Sequence, residues 1–116
     1  MTPEILIRSS FDYSHALSRH IERRVTAALR SQVAQIEGIV LKLADVNGPR
    51  GGADDKVVRI TVSLKPWGRL VATAASSDIY RSVDSAAQRL KTAVRRHSSR
   101  LRARQVQAAG ERRDAH

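Results

Sequence analysis

The sequence contains no cysteine, which excludes disulfides, thiolate zinc sites and a cysteine nucleophile. No apolar run approaches the roughly 20 residues needed to span a bilayer. The N-terminus, MTPEILIRSS, has neither the basic start nor the long apolar core of a signal peptide. These absences predict a soluble, cytoplasmic protein.

Acidic residues are scarce as well. Eleven Asp and Glu stand against 21 Lys and Arg, so the formal net charge is +10. Such an excess favours nucleic acid or an anionic membrane surface as the partner. The membrane is the weaker of the two, because the most basic segment has no Trp or Phe to anchor it. A length of 116 residues suffices for one small domain with a single core.

The most basic segment, residues 78–104, has the spacing of one long helix. Its apolar residues recur at three- and four-residue steps and predict a buried stripe, formed by Ile79, Val83, Ala86, Ala87, Leu90, Val94 and Leu101. Asp78 is the expected N-cap, with Ser77 as the alternative. After the expected cap, eight cations share the segment with one acid, Asp84.

The cations of this helix are predicted to form two lines. At about 100° per residue, one line holds Arg89, Arg96 and Arg100, and the other, across the apolar stripe, holds Lys91, Arg95 and Arg102. Like charges three and four residues apart repel each other. The arrangement therefore indicates a surface that a polyanion neutralises.

The remaining segments predict a two-layer α+β sandwich. Alternating apolar residues predict strands at 4–9, 36–46, 56–65 and 69–75, and helical spacing predicts a first helix at 14–32 with Arg19, Arg23 and Arg30 facing outward. The order β-α-β-β-β-α places both helices on one face of a mainly antiparallel four-stranded sheet, with the first two strands parallel if adjacent. Residues 1–104 are expected to form the domain, and residues 105–116, which have no periodicity, a disordered basic tail.

This succession resembles the ribosome hibernation-promoting factor family, also called ribosome-associated inhibitor A or sigma-54 modulation protein. The resemblance rests on the loop Asn47-Gly48-Pro49-Arg50-Gly51-Gly52 and on the start of the last helix, where Asp78, Tyr80, Val83, Asp84, Arg89 and Leu90 match, followed by Arg96, His97, Arg100 and Leu101. It covers about residues 4–104. The chain stops without the second domain of long members, so the resemblance is to a short form, expected to be monomeric and unable to dimerise ribosomes by that route alone.

Members of that family are not enzymes and use no cofactor. The resemblance implies a factor that binds 16S rRNA in the decoding region of the small ribosomal subunit, excludes mRNA and tRNA, and silences stored ribosomes in starvation or stationary phase. It implies rRNA contacts from both helices, carried here by Arg19, Arg23, Arg30, Arg89, Lys91, Arg95, Arg96, Arg100 and Arg102.

Other readings stay open from the residues alone. Arg50 either reaches a phosphate or belongs to a plain hairpin connection, and Trp67 either stacks on a base or covers the sheet edge. The histidines lack the spacing of a zinc site, and no Walker or nucleophile-elbow pattern occurs. Two alternative functions remain: a generic double-stranded RNA or DNA binder, and a protein-interaction module using the outward sheet face of Arg59, Thr61 and Ser63.

Overall fold

The computed structural model describes residues 4–46, 55–65 and 68–114, and side chains as far as Ser98. Its elements follow the predicted order β-α-β-β-β-α, with one additional 3₁₀ turn. They are β1 (Ile5–Ser9), α1 (His15–Ala28), a 3₁₀ segment (Arg30–Gln35), β2 (Ile36–Asp45), β3 (Lys56–Leu64), β4 (Gly68–Ser76) and α2 (Ile79–Asp114). The predicted fold class is confirmed.

The four strands form one sheet in the order β1-β2-β3-β4. β1 and β2 are parallel, whereas β2 with β3 and β3 with β4 are antiparallel. The parallel pair follows from the crossover through α1, because two adjacent strands joined by a helix return in the same direction. The expectation of a parallel first pair in an otherwise antiparallel sheet is confirmed.

The core lies between one face of the sheet and the two helices. Leu41 of β2, Ile60 of β3 and Leu90 of α2 are each fully buried in it. The apolar stripes of the two helices contribute further buried residues, including Leu17, Ile21, Val25, Val83 and Val94. Burying a side chain of this size contributes about 1.5–3 kcal/mol, so the helices are held mainly by these apolar faces.

Both helices begin at side-chain caps. The Ser14 hydroxyl accepts a hydrogen bond from the Leu17 N–H at 3.0 Å, and Asp78 Oδ1 accepts one from the Tyr80 N–H at 2.9 Å. Asp78, rather than the alternative Ser77, therefore caps α2. Each cap satisfies a backbone donor that has no partner within the first helical turn.

The two helix ends differ from the predicted ones. α1 ends at Ala28 instead of near residue 32, because Leu29 leaves helical geometry (φ −103°, ψ 6°) and the chain continues as the 3₁₀ segment. α2 extends to Asp114, beyond the predicted end at Arg104, and so includes most of the segment 105–116 expected to be a disordered tail. That segment has no apolar periodicity, but Arg, Gln, Ala and Glu are good helix formers. The division of the chain into a domain at residues 1–104 and a tail at residues 105–116 stays a prediction.

A polar cluster joins the start of α2 to β3. The fully buried Ser82 hydroxyl contacts the Lys56 carbonyl at 2.6 Å and the Asp78 carbonyl at 3.2 Å. The Lys56 ammonium in turn pairs with Asp45 and with the buried Asp55. Hydrogen bonding to Asp45 raises the pKa of Lys56 above its ordinary value of 10.5. The cluster satisfies polar groups where β2, β3 and α2 meet.

Candidate nucleic-acid interface

The two helices lie side by side and run in the same direction. His20 of α1 contacts Asp84 early in α2, and Gln32, beyond the end of α1, donates a hydrogen bond to Ser98 farther along α2 at 2.7 Å. This direction follows from the sheet, because β1 and β4 point the same way and each precedes a helix. The parallel helices leave a shallow channel between them, here called the interhelix groove, lined by Arg24, Ala27, Ala28, Arg30, Ser31, Ala87, Gln88, Lys91, Val94 and Arg95.

The interhelix groove has an open end at the C-terminal side of α1. Arg30, Lys91 and Arg95 surround a depression of about 590 Å³, and Ala28 and Val94 line it between them. All three cations are exposed. Because alanine and valine are short, the cationic side chains stand above the surface beneath them, and a phosphate-sized group can approach all three.

The opposite end of the interhelix groove is closed by ion pairs. Asp84 Oδ1 lies 2.7 Å from His20 Nε2 and 3.1 Å from Arg24 Nε, so one carboxylate joins both helices. The Tyr80 ring packs at a tilt of 59° against the His20 ring, with 5.2 Å between centroids. Between Ile79 and Arg104, Asp84 is the one acid of this helix, and its carboxylate contacts two side chains of α1.

Arg24 is a groove residue that the sequence analysis missed. Only its neighbours Arg19, Arg23 and Arg30 were assigned to the outward surface of the first helix. A signal was available, since Arg24 lies four residues after His20 and four before Ala28, on the margin of the buried stripe. Its partner could not be inferred from spacing within one helix, because Asp84 lies on the other.

The predicted line of Arg89 and Arg96 faces away from α1. Arg89 and Arg96 border a shallow surface together with Gln88, Thr92 and Ala93. Arg89 Nη1 donates a hydrogen bond to the Thr73 carbonyl, on the strand at the end of the sheet. The predicted separation of the cations into two flanks is therefore present, with Lys91 and Arg95 toward α1 and Arg89 and Arg96 toward β4.

Some of the remaining predicted residues lie on or just after α1, and the others lie outside the described side chains. Arg23 and Arg30 border one surface depression with Glu22 and Thr26, and Arg19 is exposed nearby on α1. The side chains of Arg100 and Arg102 lie outside the described ones, although their backbone is part of α2. Arg50 and Trp67, the proposed accessory contacts, also lie outside the described residues.

Most of the predicted cations carry uncompensated charge. Among the described side chains, six of them make neither an ion pair nor a hydrogen bond: Arg19, Arg23, Arg30, Lys91, Arg95 and Arg96. All six are exposed. An exposed cation without an internal partner keeps its full attraction for an external anion.

No helix in the described part of the chain combines the length and apolar character that crossing a bilayer requires.

Comparison with known proteins identifies one family and a number of solved structures with a similar fold. Residues 6–102 match the family described as Sigma 54 modulation protein / S30EA ribosomal protein. A ribosomal subunit interface protein from Coxiella burnetii has a similar fold, with a TM-score of 0.70 and 23% identity over 82% of this chain and 97% of its own. The Protein Y N-terminal domain from Thermus thermophilus has a TM-score of 0.66 and 23% identity over 84% and 99%. Among curated protein sequences, none matches this chain.

Proposed function

Because the chain belongs to the Sigma 54 modulation protein / S30EA ribosomal protein family, we propose that it is a ribosome-associated factor that silences translation. In this proposal it acts in the cytoplasm and binds 16S rRNA in the decoding region of the small subunit. Its body then occupies the space that mRNA and tRNA require. The similar Coxiella protein is named a ribosomal subunit interface protein, which supports the ribosomal assignment.

The open end of the interhelix groove carries the proposal. Arg30 comes from the start of the 3₁₀ segment that follows α1, and Lys91 and Arg95 come from α2, so the site exists only where these elements lie together. Guanidinium groups bind phosphate through two parallel N–H bonds, and an ammonium adds a compact charge. Structured RNA is recognised largely by its shape and phosphate positions, for which a rigid pair of helices is well suited.

The closed end contributes rigidity. The carboxylate of Asp84 contacts side chains of α1 while its own backbone belongs to α2, so it restricts sliding of one helix along the other. A surface held in one geometry before binding loses less conformational freedom when RNA binds. We therefore assign Asp84 and His20 to positioning the helices and the three open-end cations to contacting phosphate.

Co-sedimentation with purified small ribosomal subunits tests the proposal. The triple variant Arg30→Gln/Lys91→Gln/Arg95→Gln should lose about threefold in affinity per phosphate contact, or about 30-fold in total, at near-physiological salt. It should also fail to inhibit translation in a reconstituted assay. The expected reason is loss of counterion release, so the variant's binding should depend less steeply on salt.

A matched control separates this effect from simple loss of charge. The variant Lys65→Gln/Arg69→Gln/Arg81→Gln also removes three exposed cations, none of which lines the interhelix groove. It should bind subunits within a few-fold of the unmodified protein. Equal losses in the two triple variants would contradict the groove assignment. Competition by bulk duplex RNA as effective as competition by subunits would instead identify a generic duplex binder.

A further inference from the structure

The sheet face opposite the helices carries a row of cations that the groove does not use. In the strand register, Arg8 of β1 pairs with Lys42 of β2, Lys42 with Arg59 of β3, and Arg59 with Thr73 of β4. Arg8, Lys42 and Arg59 are all exposed. Neighbouring strands lie about 4.8 Å apart, so these three residues span roughly 10 Å in a line across the sheet. This line is called the outer row below.

The outer row has no internal compensation. Like charges directly opposite each other on adjacent strands destabilise a sheet. None of its three cations has a carboxylate partner among the described side chains. Glu37, at the irregular start of β2, pairs with Lys65 instead. Three adjacent unpaired cations are thus kept at a cost to folding.

The positions beside the outer row show what kind of contact it makes. One neighbouring row consists of Leu6, Val40, Thr61 and Val71, and the row on the other side of Lys42 and Arg59 contains Ala44, Val57 and Ala75. No aromatic residue occupies an outward position of the described strands. Sheet surfaces that read single-stranded RNA stack bases on aromatic side chains. The outer row therefore offers charge for a backbone but no platform for bases.

We propose that the outer row binds the sugar–phosphate backbone of a second RNA segment, on the side of the molecule away from the interhelix groove. This inference rests on the proposed function, since it takes the partner to be ribosomal RNA. Three aligned cations suit the regular charges of a phosphate backbone. Binding is expected to show no base preference, because nothing on this surface stacks on or reads a base.

The β4 end of the outer row favours an RNA backbone over a peptide strand as the partner. A peptide most readily joins a sheet through free hydrogen-bonding groups on an edge strand. On the β4 edge, however, the Thr73 carbonyl already accepts a hydrogen bond from Arg89. Because Thr73 completes the outer row, Arg89 brings a further cation from α2 to its end. The β4 edge therefore carries the positive charge of Arg89, and the Thr73 carbonyl there already has a hydrogen-bond donor.

Two RNA contacts on opposite faces would make the protein a bridge between RNA segments. The groove alone would hold the protein on one segment, whereas both surfaces together would hold it between two. The combined affinity for a folded ribosomal subunit should then exceed that for any single short RNA, because the second contact is intramolecular. The outer row thereby adds specificity for a site with RNA on two sides.

The test uses Arg8→Gln/Lys42→Gln/Arg59→Gln, with Lys65→Gln/Arg81→Gln as the control for exposed charge. Binding to purified small subunits should fall about threefold per lost phosphate contact beyond the effect of the control. Binding to short oligouridine and oligoadenosine should fall by the same factor. Thermal stability should rise or stay unchanged, because repulsion within the row is relieved; a merely structural role would lower it.

The groove variant Arg30→Gln/Lys91→Gln/Arg95→Gln separates failure of this inference from failure of the proposed function. If it loses subunit binding while the outer-row variant matches its control, the proposed function stands and the inference is wrong. If neither variant loses binding, both are wrong. If the outer-row variant loses binding to a short polyglutamate but keeps its affinity for subunits, the row binds an acidic protein and the RNA assignment is overturned.

Discussion

The two ends of the interhelix groove are built from similar basic residues and differ in one carboxylate. At the closed end, Arg24 and His20 share Asp84, whereas Arg30, Lys91 and Arg95 at the open end have no acidic partner in the described part of the chain. The closed end joins two helices, and the open end retains charge for an outside ligand. Placement of a single acid therefore separates a structural contact from a binding surface.

Among single substitutions, the largest effect on affinity for small subunits is expected from adding an acid to the open end. Ser31 is exposed and lines the groove beside Arg30. Ser31→Glu should neutralise about one cation and repel a phosphate, which lowers affinity for small subunits about tenfold. Filter binding at several salt concentrations measures the change. Ser85→Glu, at an exposed position of α2 that does not line the groove, is the control, and an equal loss there would refute the comparison.

Removing the acid from the closed end should have a smaller and opposite effect on binding. Asp84→Asn frees Arg24 for phosphate, and we expect this added charge to outweigh the weaker positioning of the helices, so that affinity for subunits rises about threefold. Stability should fall by about 0.5 kcal/mol or less, because both side chains of the Arg24 pair are nearly half exposed and solvent weakens such pairs. Urea unfolding and subunit binding together check this. A loss of affinity would show instead that holding the helices in place matters more than the added charge.

The smallest effect on binding is expected at another compensated cation, Lys56. Its hydrogen bond to Asp45 raises its pKa, so the folded state favours the charged ammonium more than the unfolded state does. The resulting stabilisation is complete below pH 10.5 and is lost as the pH rises through the higher pKa of the folded state. Lys56→Gln should therefore be less stable at neutral pH, with subunit affinity unchanged.

The pH dependence of that difference supplies the control. Urea unfolding of both proteins from pH 7 to pH 12 should show the stability gap shrinking in the alkaline range. A gap that stays constant with pH would mean that Lys56 stabilises the fold through its aliphatic stem rather than its charge. In either case a paired cation should affect folding, in contrast to the unpaired cations at the open end.

Local patterns were sufficient to predict most of the fold. The alternation Val58, Ile60, Val62 on β3 and the three- and four-residue spacing of α2 agree with burial, because periods of 2 and 3.6 are properties of single elements. In the predicted stripe of α2, Ile79 is only partly buried, and the Leu101 side chain lies outside the described ones. The helix ends were predicted less well. α1 stops at Ala28 through a change of backbone angles at Leu29, and α2 continues past Arg104 without an apolar stripe.

The candidate site was predicted only as a set of cations. Spacing within α2 correctly separates Lys91 and Arg95 from Arg89 and Arg96. It cannot indicate that the first pair faces α1 and that Arg89 contacts the β4 edge. Arg24 was missed for the same reason, since its role depends on a residue of another helix. The part these cations play in binding stays a prediction.

The amino-acid order alone determined the elements, their apolar faces and the excess of positive charge, because each depends on composition or on neighbours a few positions away. Only the tertiary structure decided which charged side chains form ion pairs within the molecule. His20 and Asp84 are 64 positions apart, and Arg8, Lys42 and Arg59 become neighbours only through strand register. Electrostatic interaction falls with distance in space rather than along the chain, so pairing and repulsion are settled when the helices and strands pack.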